Sequence, residues 1–326
     1  MILFSGMRPT GRLHLGHLVG ALGRWVEMQD EYDCYFTIAD YHALTTSYED
    51  TSSLPEYVLD MALTWRAAGI DFARAVVFVQ SDVKEHAELH LLLSMLTPMS
   101  WLERDPTLKA MQSDLHIKGV NYGLMGYPVL QAADILLYKA QAAPVGIDQA
   151  PHVELAREIA RAFNRYFGVV FPEPEAILSA TPRLLGTDGR KMSKSLGNCV
   201  YLDDPPDVVA SKIMGLATDP KKVHATDPGD PDICSAQDYH KVFSPADAAT
   251  HDAECRAGRI GCVTHKRYIG GVIAEITKPI REKKMELSGD KAETIALLKD
   301  GAERARAKAS ATMAEVRRAV RIGEAP

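Results

Sequence analysis

Short apolar runs alternating with stretches of helical periodicity limit this chain to few architectures. Residues 2–5, 34–39 and 75–80 read as strands, and a shorter apolar run lies at 143–145. After the first of them, Pro9-Thr10-Gly11 is turn chemistry, and Leu15, Leu18, Val19, Leu22, Trp25 and Val26 then fall on one helical face. Residues 54–68, 85–96, 129–138 and 151–163 read as further helices, the last with Pro151 in its first turn. A parallel neighbour is reached only by a crossover, so strands alternating with helices predict a parallel sheet. The expected fold class is α/β, a Rossmann-type doubly wound parallel sheet with a C-terminal all-helical domain. The pattern changes at Pro205-Pro206, which divides the chain into residues 1–204 and 205–326, the last helix being a candidate to pack back on the first part. Residues 181–198, rich in Gly, Pro and Lys, read as a mobile loop.

A chain of 326 residues accommodates two such domains. With 46% hydrophobic and 25% charged residues it has the composition of a globular protein with an ample core. It begins without a basic, then apolar, leader, and no run approaches the roughly 18 apolar residues of a membrane span, so a cytoplasmic protein without a membrane partner is expected. Five cysteines in such a chain point to thiols or metal ligands rather than a disulfide framework. The net charge of −6 argues against indiscriminate nucleic-acid binding, DNA included, but residues 251–326 carry +5 and the rest −11. A polyanion touching only the C-terminal part fits this asymmetry, and so does a solvated helical surface.

Two motifs carry phosphate chemistry. His14-Leu15-Gly16-His17 follows the first strand and turn, at the entry to a helix. Helix N-termini offer unpaired N–H groups to anions, Gly16 leaves room for a nucleotide against the backbone, and the two imidazoles can donate to phosphoryl oxygens as charge develops. Lys191-Met192-Ser193-Lys194-Ser195, flanked by Gly186, Gly189 and Gly197, suits a flap that closes over a leaving pyrophosphate. Together the two motifs resemble the defining pair of class I aminoacyl-tRNA synthetases, which bind ATP on a Rossmann-type sheet and form an aminoacyl adenylate. The His-x-Gly-His turn alone also occurs in small adenylyltransferases, which are usually shorter and lack a lysine flap with a helical domain behind it.

Tyr127, Gln131, Asp134 and Tyr138 are spaced by four, three and four residues and share one helical face. A carboxylate among apolar neighbours is costly without a donor, so Asp134 is either paired internally or available to a ligand N–H such as that of indole. Ala132-Ala133-Asp134-Ile135-Leu136 and residues 145–155 (Val145-Gly146-Ile147-Asp148-Gln149 onward) resemble tryptophanyl-tRNA synthetases of bacterial type, and so does nearly the whole length. The resemblance implies a homodimer acting on ATP with Mg2+, L-tryptophan and tRNA(Trp). It places Phe4, His42, Tyr127, Gln131, Asp134, Val145 and Gln149 in the amino-acid pocket. The nucleotide falls to Arg8, Pro9, Thr10, Gly16, His17, Gly146, Ile147, Asp148, Leu184, Lys191, Met192, Ser193 and Lys194, and catalysis to His14, His17, Lys191, Lys194 and Ser195. Many family members have Met at Gln131 and Glu at Ile147, which suggests that the latter position acts through its backbone. Tyrosyl-tRNA synthetases, which share fold and motifs, are the nearest rival, and a regulatory paralogue that binds tryptophan or RNA without charging is the non-enzymatic alternative.

Cys262 and His265 have the short spacing of a metal half-site, with Cys234 and Cys255 upstream. This set resembles the four cysteines that hold an iron–sulfur cluster in a subset of those synthetases, with His265 in place of the fourth. A [4Fe-4S] cluster, a Zn2+ ion and a site that has lost its metal stay open.

Overall fold

The computed structural model describes residues 1–104, 120–178 and 184–323, apart from the side chain of Asp148. Five strands form one parallel sheet in the order β3-β2-β1-β4-β5: β1 (Ile2–Met7), β2 (Asp33–Ile38), β3 (Val76–Val79), β4 (Ala142–Val145) and β5 (Glu175–Leu178). β1 lies at the centre because its apolar residues have partners on both sides: Leu3 pairs with Cys34 of β2 and with Ala142 of β4. The chain leaves β1 in one direction for β2 and β3 and returns on the other side for β4 and β5. This reversal opens a crevice at the carboxyl ends of β1 and β4, where open parallel sheets bind ligands.

Helices cover both faces, as the burial of every inner strand requires. One core layer unites Trp25, Phe36, Trp65, Val77 and Ile213, and the other Phe78, Leu89, Val129, Leu136, Phe163 and Met313. The first helix is not regular: Leu15–His17 (α1) passes through a π-helical Leu18–Leu22 into Gly23–Met28 (α2), so the single amphipathic stripe read in the sequence is interrupted just after the motif histidines. The others over this part are α3 (Asp40–Ser47), α4 (Leu54–Ala67), α5 (Glu85–Ser94), α6 (Met99–Glu103), α7 (Tyr122–Leu137) and α8 (Ala150–Phe167). α7 begins seven residues before the expected Val129, because Asn121 caps it by accepting the Leu124 N–H at 2.8 Å and the helix runs on through Pro128.

Beyond residue 205 the described elements are helical: α9 (Pro206–Met214), α10 (Ser235–Phe243), α11 (Pro245–Arg256), α12 (Cys262–Gly289) and α13 (Lys291–Val320). α12 packs on α9 and α4, and buried Lys284 from it bridges Asp203 at 2.8 Å and Asp60 at 2.5 Å. α13 lies along the otherwise exposed edge of β3, a position that shields an edge strand from foreign pairing. Its contact face is small, with Gly301, Ala302, Ala305 and Ala309 buried, and Arg304 donates to the carbonyls of Phe72 and Ala75 at 2.7 and 3.0 Å. No described helix is long and apolar enough to cross a membrane.

A Cβ at Gly301 would lie 1.8 Å from the Val77 carbonyl oxygen, a backbone atom that cannot rotate away. Gly301→Ala is therefore expected to lower unfolding free energy by about 3 kcal/mol, at the upper end of overpacking, in urea denaturation followed by circular dichroism. Unchanged stability would show that α13 does not seat on β3 this closely.

Candidate active site

Both phosphate motifs stand at the crevice because backbone pairing brings them together. Leu15 N–H donates to Val200 O at 2.9 Å, Leu202 N–H to Leu13 O at 3.0 Å, and His14 pairs with Tyr201 as an antiparallel bridge. The lysine motif closes a hairpin in which Leu185 bridges Lys191 and Gly189 turns at φ +78°, a conformation that glycine adopts without strain. Buried Asn198 holds that hairpin: its Oδ1 accepts the Ser193 N–H at 2.8 Å, and its Nδ2 donates to Asp188 Oδ1 at 2.8 Å and Lys191 O at 3.0 Å. Lys194 Nζ then donates to Gly11 O at 2.8 Å, so the flap lysine rests on the turn before the histidines. Exposed Ser195 shares a hydroxyl hydrogen bond with Ser193 at 2.9 Å, and Met192 is buried against the turn.

The two imidazoles lie with ring centroids 3.8 Å apart. His17 Nδ1 accepts the His14 N–H at 3.1 Å, so in the neutral ring Nε2 carries the proton and is the donor. His14 Nδ1 is buried with no hydrogen-bond partner among the described residues. Burial, then the charge of Lys194, lowers the His14 pKa to about 4, and burial with His14 and Lys194 drives His17 well below its ordinary value. Both are neutral donors at pH 7. Burial also lowers Lys194 to about 8. A Cβ on Gly16 would come within 3.0 Å of His14 Nδ1 and 3.5 Å of Met192 Sδ, so glycine keeps this corner open.

A second compartment surrounds Asp134, which is 2% exposed on α7. Its Oδ1 accepts from Gln80 Nε2 at 2.8 Å and His86 Nδ1 at 2.6 Å, and its Oδ2 from His42 Nε2 at 2.9 Å. Burial pushes this carboxyl upward, but the N–H groups of His86 and His42 outweigh it and hold the pKa at about 2, so the group is ionised. Because an ionised carboxylate only accepts, His86 Nδ1 carries its proton and Nε2, 2.8 Å from Tyr138 Oη, accepts the phenol. A parallel chain runs from Tyr127 Oη to His152 Nε2 and from His152 Nδ1 to Gln149 Oε1, each at 2.9 Å. Phe4 stacks on Tyr138 at 5.5 Å, and His42 meets Tyr127 edge-on at 6.4 Å. Arg8 lies within electrostatic reach of both Tyr127 and Lys194, between the two compartments.

The sequence reading missed Gln80, His86 and Asn198. The first two come from the end of β3 and from α5, carry no motif, and are recognisable only as polar residues that burial forces to find a partner. Val145 and Gly146 close β4 at the crevice, while the Ile147 side chain is 78% exposed. The side chain of Leu184 is packed into the apolar core, which leaves the backbone of this residue to meet a nucleotide. Of the expected Cys3His group, His265 has its Nε2 2.8 Å from His240 Nδ1, and among the described residues the ligand atoms that gather within 4.8 Å are those of His240, His251 and His265. Cys234, Cys255 and Cys262 lie within electrostatic reach of one another. The side chain of Asp148 and residues 181–183 of the expected loop fall outside the described residues.

A sheet that reverses direction over a histidine corner, a lysine hairpin and a buried acceptor defines a nucleotide-dependent enzyme of the class I synthetase type. The family model described as class I tRNA synthetases (W and Y) matches residues 1–277. The tryptophan–tRNA ligase of Thermotoga maritima is 47% identical over 99% of both chains, and that of Aquifex aeolicus 41% over 99% of this chain and all of its own. The crystal structure of the tryptophanyl-tRNA synthetase of Campylobacter jejuni with ADP and tryptophan superposes with a TM-score of 0.86 at 34% identity, covering 99% and 100% of the two chains. This chain belongs to the class I tRNA synthetases, among the tryptophan–tRNA ligases of bacteria.

Because His14 is buried neutral, its folded pKa lies below the ordinary 6.5, and protonation favours the unfolded chain as pH falls from 6.5 towards 4. His14→Gln removes that contribution: the stability lost between pH 7 and pH 4 should be smaller by about 2–3 kcal/mol in the variant, measured by chemical denaturation at each pH. Parallel pH profiles would contradict the buried neutral imidazole.

Proposed function

We propose that this chain activates L-tryptophan with ATP and transfers it to tRNA(Trp). The observation that carries the reading is Asp134, a buried ionised carboxylate whose Oδ2 accepts one N–H from the protein at the mouth of the parallel sheet. An indole N–H supplies the second donor, and a substrate without one leaves a desolvated charge undersatisfied. Phe4, Tyr127 and Val145 supply the apolar walls, and His42, Gln131 and Gln149 the polar edge.

In the first step a carboxylate oxygen of tryptophan attacks the α-phosphorus of ATP. The new P–O bond forms as the bond to pyrophosphate breaks, and pyrophosphate leaves with the electron pair. His14 and His17 donate to the oxygens on which charge grows, and Lys191 and Lys194 neutralise the leaving group, with Ser193 and Ser195 in the same hairpin. Arg8, Pro9, Thr10, Gly16, Gly146, Asp148 and the backbone of Ile147 hold the nucleotide, and Met192 seats the flap. Mg2+ carried by the ATP phosphates supplies further positive charge. In the second step a hydroxyl of the terminal tRNA ribose attacks the acyl carbon and AMP departs. No bond to the protein forms, so catalysis is positioning and electrostatics. No step passes through the cysteines.

In the same reading residues 1–204 form the catalytic domain and the helices of 205–326, whose residues 251–326 carry +5, meet the tRNA anticodon. Two chains pair, as the resemblance implies, and the protein works where tRNA is charged, in the cytoplasm.

Pyrophosphate exchange into ATP, run in parallel with tryptophan and tyrosine, tests the reading. Exchange is expected with tryptophan alone, and Asp134→Asn should lower kcat/KM for tryptophan by about 100-fold or more. Exchange with tyrosine would move the substrate, and none with either would remove the enzymatic reading.

A further inference from the structure

Outside the active site, the most unusual arrangement is a knot of imidazoles between three helices. His240 on α10 is fully buried, His265 in the first turn of α12 is 5% exposed, and His251 on α11 is half-buried. Their ring centroids are 4.3 Å (His240 to His251) and 5.0 Å (His265 to each) apart. We propose that His240, His251 and His265 form a binding site for a divalent cation of the zinc class, which clips α10, α11 and α12 together.

Proton accounting carries the proposal. His240 Nε2 lies 2.8 Å from Asp247 Oδ1, and Asp247 is kept ionised by hydrogen bonds from Tyr268, Ser244 and His240. An acceptor-only carboxylate requires Nε2 to carry the proton, so in the neutral ring Nδ1 of His240 presents a lone pair. That lone pair faces His265 Nε2 at 2.8 Å. A proton on His265 Nε2 could bridge those two, but it leaves the third ring unexplained: His251 Nδ1 is buried and has no hydrogen-bond partner among the described residues. One ligand atom from each ring lies within 4.8 Å of the others, and a cation can take a lone pair from all three.

The donor set names the ligand class. Three imidazoles suit zinc and its neighbours better than calcium or magnesium, which prefer oxygen. A carboxylate behind one imidazole fixes its tautomer and orientation, the usual support of a metal-binding histidine. Metal–nitrogen bonds of about 2.0–2.1 Å place tetrahedral ligand atoms roughly 3.3 Å apart, so the His251 ring would move inward and the His240 and His265 nitrogens, now 2.8 Å apart, slightly outward. The three cysteines lie outside this group, and the site is independent of the adenylation reaction.

The test is Co2+ titration of full-length protein freed of metal by a chelator, followed by d–d absorption and by competition with Zn2+. The wild type should bind one Co2+ without the thiolate-to-metal charge-transfer band, and Cys255→Ser/Cys262→Ser should bind it equally. His251→Ala, at a half-buried position, should lose the site while helical circular dichroism is kept. Asp247→Asn should weaken binding by about 10- to 100-fold. Zn2+ should raise the Tm of the wild type and not that of His251→Ala. Absence of stoichiometric binding, binding unchanged by both His251→Ala and Asp247→Asn, or binding lost in the double cysteine variant would overturn the proposal, the last by assigning the metal to the thiolates.

Discussion

Residues 13–15 and 200–202 run side by side through two backbone hydrogen bonds, and the site depends on this short antiparallel pairing. It seats the histidine turn against the segment that follows the lysine hairpin, although the two are separated by almost the whole sheet domain in sequence. Side-chain contacts then become short-range consequences: Lys194 reaches Gly11, Met192 fills the space that Gly16 leaves, and Arg12 binds Asp203 and Asp204 just beyond the pairing. Buried Lys284 of α12 binds the same Asp203, so the helical region is tied to the segment that organises the phosphate corner.

The two compartments of the site solve opposite electrostatic problems. At the phosphate corner, burial keeps the imidazoles neutral and weakens the hold of Lys194 on its proton, and in the proposed reaction an anion completes these groups. At Asp134 a full negative charge is buried, and three N–H donors from α3, β3's end and α5 make it tolerable. The protein gives Oδ1 two donors and Oδ2 one. In the proposed reading, Oδ2 is the oxygen left to meet the indole N–H.

The central strands were legible because β1, β2 and β3 are short apolar runs bounded by turns, and burial on both faces requires that pattern. β5 was not, since Glu175-Ala176-Ile177-Leu178 is a partly exposed edge without a run or an alternation. Nor was the start of α7, where Gly123, Gly126 and Pro128 argue against a helix that packing and the Asn121 cap nevertheless sustain. The phosphate motifs were readable as local strings. Gln80 and His86 were not, because they matter only through a carboxylate some 50 residues away. The short spacing of Cys262 and His265 suggested a shared ligand, whereas α12 turns the imidazole towards His240 of α10, a contact that no local spacing encodes.

If Asp134 selects the substrate through one N–H, the most direct measurement is calorimetric binding of L-tryptophan against its analogue with sulfur in place of the indole N–H. The account predicts that the analogue, equal in shape and apolar surface, binds at least about 100-fold more weakly. Equal affinities would contradict it and would mean that Asp134 is only a structural anchor for His42, Gln80 and His86.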